Sequence, residues 1–282
     1  MSAPTSTGEP TAAAAPAAGG AAGTSRTAAA LDAARARGGA GLVGYLPVGY
    51  PDLATSVRAA RAMVAEGVDV VELGLPYSDP VMDGPVIQAA AEAALAGGTR
   101  PRDVLAAVEQ VAGSGAAVLV MTYWNPVDRY GVDAWARDLA AAGGAGMITP
   151  DLIPDEGAEW VEAATGHDLD RVFLVAPSST PARLASTAAS CRGFVYAAST
   201  MGVTGVRSAV GGAAARLVAD TRAAGAQRVC VGLGVSTAAQ AAEVAGYADG
   251  VIVGSALVRA LGDGGVPAVG ALAAELAAGL RG

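Results

Sequence analysis

The stretch VVELGLPYSDPVMDGP, residues 70–85, opens as a buried strand and ends as a proline-braced loop. Val70 and Val71 are β-branched, and Leu73 and Leu75 extend the apolar run. Continuous apolarity of this kind suits a strand covered on both faces, as in a parallel sheet. Glu72 interrupts the run, where a carboxylate is costly to desolvate. Asp79 and Asp83 follow in a loop held by Pro76, Pro80 and Pro85. An acid in a core strand makes physical sense where the strand ends at the mouth of a cavity.

Seven further runs of the same kind surround this one: LVGYLPV (42–48), AAVLVM (116–121), GMITPDL (146–152), RVFLVAP (171–177), GFVYAAS (193–199), RVCVGLG (228–234) and DGVIVGS (249–255). Between them lie helix-like segments rich in Ala, Leu and Arg, such as TSVRAARAMVAEG and PRDVLAAVEQVAGSG. Several end in glycine, and Thr55, Asp103, Asp133 and Ser236 stand where N-caps are expected. Eight strand-then-helix units favour a single-domain TIM (β/α)8 barrel with extra helices over a doubly wound sheet, which needs fewer strands. The barrel is expected over residues 27–282. Residues 1–26, an aperiodic mix of Ala, Pro, Gly, Ser and Thr, are expected to be a disordered tail.

Composition narrows the chemistry. The net charge is −8, which argues against a nucleic-acid or anionic-membrane binder. Every basic residue is arginine; no lysine occurs, so no lysine Schiff base and no P-loop can operate. The single histidine, His167, lies in the polar run TGHDLD and reads as an exposed loop residue rather than a triad base. Cys191 and Cys230 lack metal-ligand spacing, and no metal site is expected. The alanine-rich start lacks the pattern of a secretory signal and no later run reads as a membrane span, so a cytoplasmic location is expected.

In a barrel of this type, function sits at the C-terminal ends of the strands. The last two strands end in GLGVS (232–236) and VGSAL (253–257), glycine-rich turns that open helices and offer free N–H groups to an anion. MGVTGVR (201–207) follows the sixth strand and offers more. A phosphate site is therefore expected there, although each glycine taken singly reads as a turn. Glu72 can be an acid–base group with a pKa raised by burial, or a structural partner for an arginine. Asp83 can face the same cavity and stabilise positive charge on a ligand N–H. Asp79, before Pro80, reads as a loop-shaping residue. Tyr196, Asn125 and Asp151 are further polar groups near strand ends, and Tyr196 reads equally well as core packing.

ELGLPYSDPVMDGP (72–85) closely resembles the signature of the tryptophan synthase alpha chain family. TYWNP (122–126), PDLIPDE (150–156), GFVYAASTMGVTG (193–205), GLGVS and VGSAL are similar to further segments of that family, in order, from about residue 31 onward. The resemblance implies reversible retro-aldol cleavage of indole-3-glycerol phosphate to indole and glyceraldehyde 3-phosphate. It implies Glu72 as the catalytic acid–base, Asp83 as partner of the indole N–H, and Tyr196 as an active-site tyrosine. Thr204 matches a residue that contacts the aspartate when loop six closes. Gly205, Gly234, Gly254 and Ser255 match phosphate contacts. The implied partner is a beta subunit in an alpha2-beta2 heterotetramer, which receives the indole for L-tryptophan synthesis; pyridoxal phosphate is expected only in that subunit, and no cofactor here. Pro47, Tyr50 and Thr200 depart from the commoner family residues. A stand-alone lyase, and a non-catalytic barrel that only activates a beta subunit, remain alternatives. Indole-3-glycerol phosphate synthase is excluded by the missing lysine, and phosphoribosylanthranilate isomerase by the absence of a cysteine near the first strand.

Overall fold

The computed structural model describes residues 23–198, 207–232 and 234–281. Within them, parallel strands close into one barrel in sequence order. They are β1 (Gly41–Pro47), β2 (Val70–Gly74), β3 (Ala117–Met121), β4 (Gly146–Thr149), β5 (Asp170–Val175), β6 (Val195–Ala198), β7 (Val229–Gly232) and β8 (Gly250–Val253). Helix α1 (Arg26–Ala36) precedes the barrel, and α2 (Leu53–Ala65) links β1 to β2. Two helices, α3 (Pro85–Ala96) and α4 (Pro101–Ala112), follow β2, and two more, α5 (Trp124–Tyr130) and α6 (Val132–Ala141), follow β3. Single helices α7 (Ala158–Gly166), α8 (Pro181–Ser190), α9 (Arg207–Ala223), α10 (Ala238–Ala245) and α11 (Ser255–Leu280) complete the ring. The expected barrel with extra helices is thus observed. Residues 1–22 of the expected tail lie outside the described residues, as do Thr200, Thr204 and Gly205.

Two layers of apolar side chains explain the unbroken hydrophobicity of the strands. Val43, Val70, Leu119, Ile148, Val172, Phe194, Cys230 and Ile252 form an inner cluster. The alternate residues, among them Leu42, Val71, Leu73, Val118, Phe173 and Val251, pack outward against the helices. Alternation has period two, so on β2 the residues sharing the inward side of Val70 are Glu72 and Gly74. The acid in the core strand therefore points into the barrel.

Helix α1 closes the floor. Leu31 is buried in the inner cluster, and it lies where a Cβ on Gly41 would stand. Ser25 caps the helix through Ala28 N–H and donates its hydroxyl to Asp170 (2.8 Å), which also accepts Thr27 N–H (3.1 Å). Residues 25 and 26 thus pack against the barrel.

The four expected N-caps are displaced by one to three residues. Asp52, not Thr55, caps α2, accepting Thr55 N–H at 2.8 Å. Arg100 precedes α4 and Asp103 occupies the third helical position, accepting Arg100 N–H. Gly131 precedes α6, with Asp133 in its first turn, and Thr237 rather than Ser236 caps α10. Several good capping residues compete within each first turn, and Pro101, pre-set for the first helical position, settles the α4 boundary. Helix α11 is long and apolar enough to cross a membrane by length and composition. It breaks at Gly265 (φ 65°), ahead of Pro267, and buries Leu257, Leu261, Leu276 and Leu280 in the core around α2, α10 and β1.

Candidate active site

The C-terminal ends of the strands enclose a cavity of about 440 Å³. Its walls include Tyr45, Glu72, Asp83, Tyr196, Leu174, Ile252, Gly234, Gly254 and Ser255. A mostly apolar hollow with a few convergent polar groups is the usual form of a small-molecule site. Glu72, Asp83, Tyr196, Gly234, Gly254 and Ser255 all line it, whereas Thr204 and Gly205 lie outside the described residues.

Glu72 is fully buried, and neither carboxylate oxygen has a hydrogen-bond partner among the described residues. Of the two readings open from sequence, the structural partner for an arginine is not seen: no arginine pairs with it there. Burial pushes its pKa up to about 8. A carboxyl in this state is neutral at neutral pH and can give up a proton with little driving force against it.

Asp83 sits one residue before the Gly84 cap of α3, whose first position is Pro85. Gln88 reaches back to its backbone carbonyl (2.8 Å), which fixes the turn. Burial raises the Asp83 pKa, and the hydroxyl of Tyr123 beside it opposes that rise. The positive end of α3 favours the ionised form as well. Tyr123 in turn accepts Met82 N–H (2.9 Å) and packs against Tyr77, ring centroids 5.3 Å apart. Asp79 is exposed and accepts a hydrogen bond from Ser78, a contact within the loop.

Tyr196 shares the inward side of β6 with Phe194, and its ring lies over Gly232 on β7. Tyr45 has the same relation to Gly74 on β2 and is register partner of Glu72. Sequence reading missed Tyr45, although its parity with Val43 on β1 was the available signal. Asn125 and Asp151 do not line the cavity. Asn125 donates to the Tyr77 hydroxyl (3.1 Å), and Asp151 accepts Trp124 N–H (2.9 Å) at the start of α5. They tie the loops after β2, β3 and β4 to one another.

On the opposite wall, Gly234 (φ 71°), Gly254 and Ser255 gather where β7 and β8 end. The positive φ of Gly234 is a conformation that a side chain would strain. Ser255 begins α11, so unpaired N–H groups of its first turn stand at the cavity edge, a ready anion site. His167 follows α7 and pairs with Asp133 (3.0 Å) away from the cavity. Burial pushes the thiol of Cys191 up to about 12 and that of Cys230 well above its ordinary value, which makes both inert at neutral pH. Among the described residues no cluster of His, Cys, Asp and Glu could hold a metal ion.

The family model described as tryptophan synthase alpha chain matches residues 31–276. The tryptophan synthase alpha chain of Mycobacterium marinum is 64% identical over 251 residues, covering 89% of this chain and 93% of that one. The one from Mycobacterium avium is 65% identical over 242 residues, covering 86% and 89%. A solved structure of Mycobacterium tuberculosis tryptophan synthase superposes with a TM-score of 0.87 at 61% identity, covering 92% of this chain and 99% of that one. Tryptophan synthase subunit alpha from Legionella pneumophila keeps a TM-score of 0.83 at 31% identity, covering 92% and 99%.

Proposed function

Because the chain belongs to the tryptophan synthase alpha chain family, we propose that its barrel mouth cleaves indole-3-glycerol phosphate into indole and glyceraldehyde 3-phosphate. The observation that carries this reading is Glu72, buried and without a partner among the described residues, lining the same cavity as Asp83. A retro-aldol cleavage needs a proton on indole C3, a base for the side-chain hydroxyl, and a sink for charge on the indole nitrogen.

The neutral Glu72 carboxyl gives its proton to C3, and the ring becomes an indoleninium with positive charge on N1. Ionised Asp83 accepts the N1–H hydrogen bond and stabilises that charge. The C3–carbon bond then breaks, and its electron pair restores the indole ring. The hydroxyl on the departing carbon loses its proton as the aldehyde forms. The Glu72 carboxylate takes that proton and returns to its starting form. Tyr196 bounds the indole-facing side of the cavity. The phosphate lies against the N–H groups around Gly234, Gly254 and Ser255, where a helix N-terminus and glycine backbone can approach it. Thr204 and Gly205 complete closure and phosphate contacts by family resemblance alone.

The chain works with a beta subunit, in an alpha2-beta2 assembly, in the cytoplasm, and carries no cofactor of its own. With no lysine in the sequence, this chain cannot form a Schiff base with pyridoxal phosphate. The exposed Val81 and Met82, on the loop between Glu72 and Asp83, suit contact with such a partner. The test supplies indole-3-glycerol phosphate to the purified chain, alone and with a beta subunit. Slow indole release alone and a marked acceleration with the partner are expected; no cleavage in either condition overturns the reading.

A further inference from the structure

Among the described residues that line the cavity, Tyr45 is the polar side chain that the reaction just described leaves without a task. It lies on β1 with its Cα paired to Glu72 of β2, so the two side chains enter the barrel side by side. Its ring leans across β2 onto Gly74, which has no side chain to hold it off. That stations the hydroxyl past Glu72 along β2, toward the loop that carries Asp83. The residue is 8% exposed, and what is exposed faces the cavity.

We infer that Tyr45 is a positioning residue for the two acids: its hydroxyl, stationed between Glu72 and Asp83, donates its hydrogen bond to whichever carboxyl is ionised. The inference rests on the reading of the cavity as a retro-aldol site. Asp83 carries the negative charge before proton transfer and Glu72 acquires one after it. Among the described residues, both oxygens of Glu72 lack a donor in the resting structure. A carboxylate formed there would be a buried, unsolvated charge without one. Among the described residues the Tyr45 hydroxyl bonds to neither acid in the resting structure, so a tilt of the ring with rotation of the O–H is what brings it to one or the other. No proton leaves the tyrosine, so the balance of the reaction is unchanged. The titratable groups facing this point are Glu72 on β2, Asp83 beyond it, Tyr196 on β6, Cys230 on β7 and Tyr123 after β3. Burial raises the Tyr45 pKa most, and the charges of Asp83 and then Glu72 raise it further, as expected for a phenol near both.

The test is the pH dependence of kcat for wild type and Tyr45→Phe with a beta subunit present. The substitution removes one oxygen and keeps the ring over Gly74, so the barrel is retained. Losing a donor to a carboxylate raises that carboxyl's pKa. Activity requires Asp83 ionised, so the acid limb of the profile moves to higher pH by about half to one unit, while on the alkaline limb the single bond only passes from one carboxylate to the other and that limb keeps its place. The maximum falls roughly tenfold while KM stays within about threefold, because the lost hydrogen bond strengthens after substrate has bound. A profile that keeps its wild-type position overturns the inference, whatever its height, since a merely structural role lowers the rate without moving the limbs. A wild-type chain that fails to cleave the substrate overturns the functional reading itself, and this inference with it.

Discussion

The ring of Tyr196 fills the space above Gly232: a Cβ added to that glycine would stand 2.7 Å from one ring carbon and closer still to the hydroxyl. Tyr45 stands over Gly74 in the same way, with ring carbons at 2.8 Å. Each tyrosine is held by the absence of a side chain on the next strand. Gly232→Ala forces the Tyr196 ring toward the cavity, into the room meant for substrate. Displacements of about an ångström cost on the order of a hundredfold in rate when they misplace reacting groups. A loss in kcat/KM of that order is expected, with the thermal midpoint little changed. Wild-type turnover in the alanine variant would show that Tyr196 can vacate its place without consequence.

The raised pKa of Glu72 predicts a stability that falls as pH rises. In the unfolded chain Glu72 loses its proton near pH 4.5; in the native barrel it holds the proton to about pH 8. Over that window the native state binds more protons than the unfolded state, so unfolding becomes easier with each step upward in pH. Glutamine has no proton to lose. The stability of Glu72→Gln relative to wild type therefore rises from near zero at pH 4.5 to a few kcal/mol at pH 8 and then levels. Urea midpoints at pH 5 and pH 8 check this. A difference that is the same at both values would mean Glu72 titrates normally. The variant is also expected to retain phosphate-ligand binding while losing cleavage.

The strands were legible because burial on both faces leaves no polar alternation to confuse them: each of the eight runs covers its observed strand to within one residue. Residue parity then places Glu72 inward. The exact helix starts were not legible, since Asp52 and Thr55, or Ser236 and Thr237, are equally good caps and the loop path decides between them. Tyr45 was overlooked for a related reason. An aromatic within LVGYLPV looks like packing until the register with Glu72 is known. Asp79 and Asp83 are alike by composition; what separates them is that one loop position is exposed and the other turns in just before α3. Asn125 and Asp151 look like site residues by their position after strands. Only the folded loops reveal them as ties between neighbours.

Leu31 tests the floor of the barrel independently of its mouth. It is 2% exposed and packs among Val43, Val70 and Cys230, with Gly41 and Gly250 leaving room for it. Leu31→Ala removes a buried side chain from a site whose closed ring of strands cannot easily collapse inward. A loss of roughly 2–5 kcal/mol in unfolding free energy is expected. The cleavage rate at 25 °C should stay within about twofold of wild type, because the layer of side chains that includes Val70 lies between Leu31 and Glu72. A stability change below about 1 kcal/mol would mean that α1 covers the floor without filling it.

Tyr123→Phe separates the two acids from one another. The Tyr123 hydroxyl stands beside Asp83 and holds its pKa down against the effect of burial, while accepting Met82 N–H. Phenylalanine removes that support, and the Asp83 pKa rises further. The sign follows from the form required: Asp83 must be ionised to receive the indole N–H, so activity is lost earlier as pH falls. The acid limb of the kcat/KM profile moves upward by about half to one pH unit, the size of one hydrogen bond. The alkaline limb, set by Glu72, stays near pH 8, because no hydrogen bond links Tyr123 to that carboxyl. Movement of the alkaline limb alone in Tyr123→Phe would reverse the roles given to the two carboxyls.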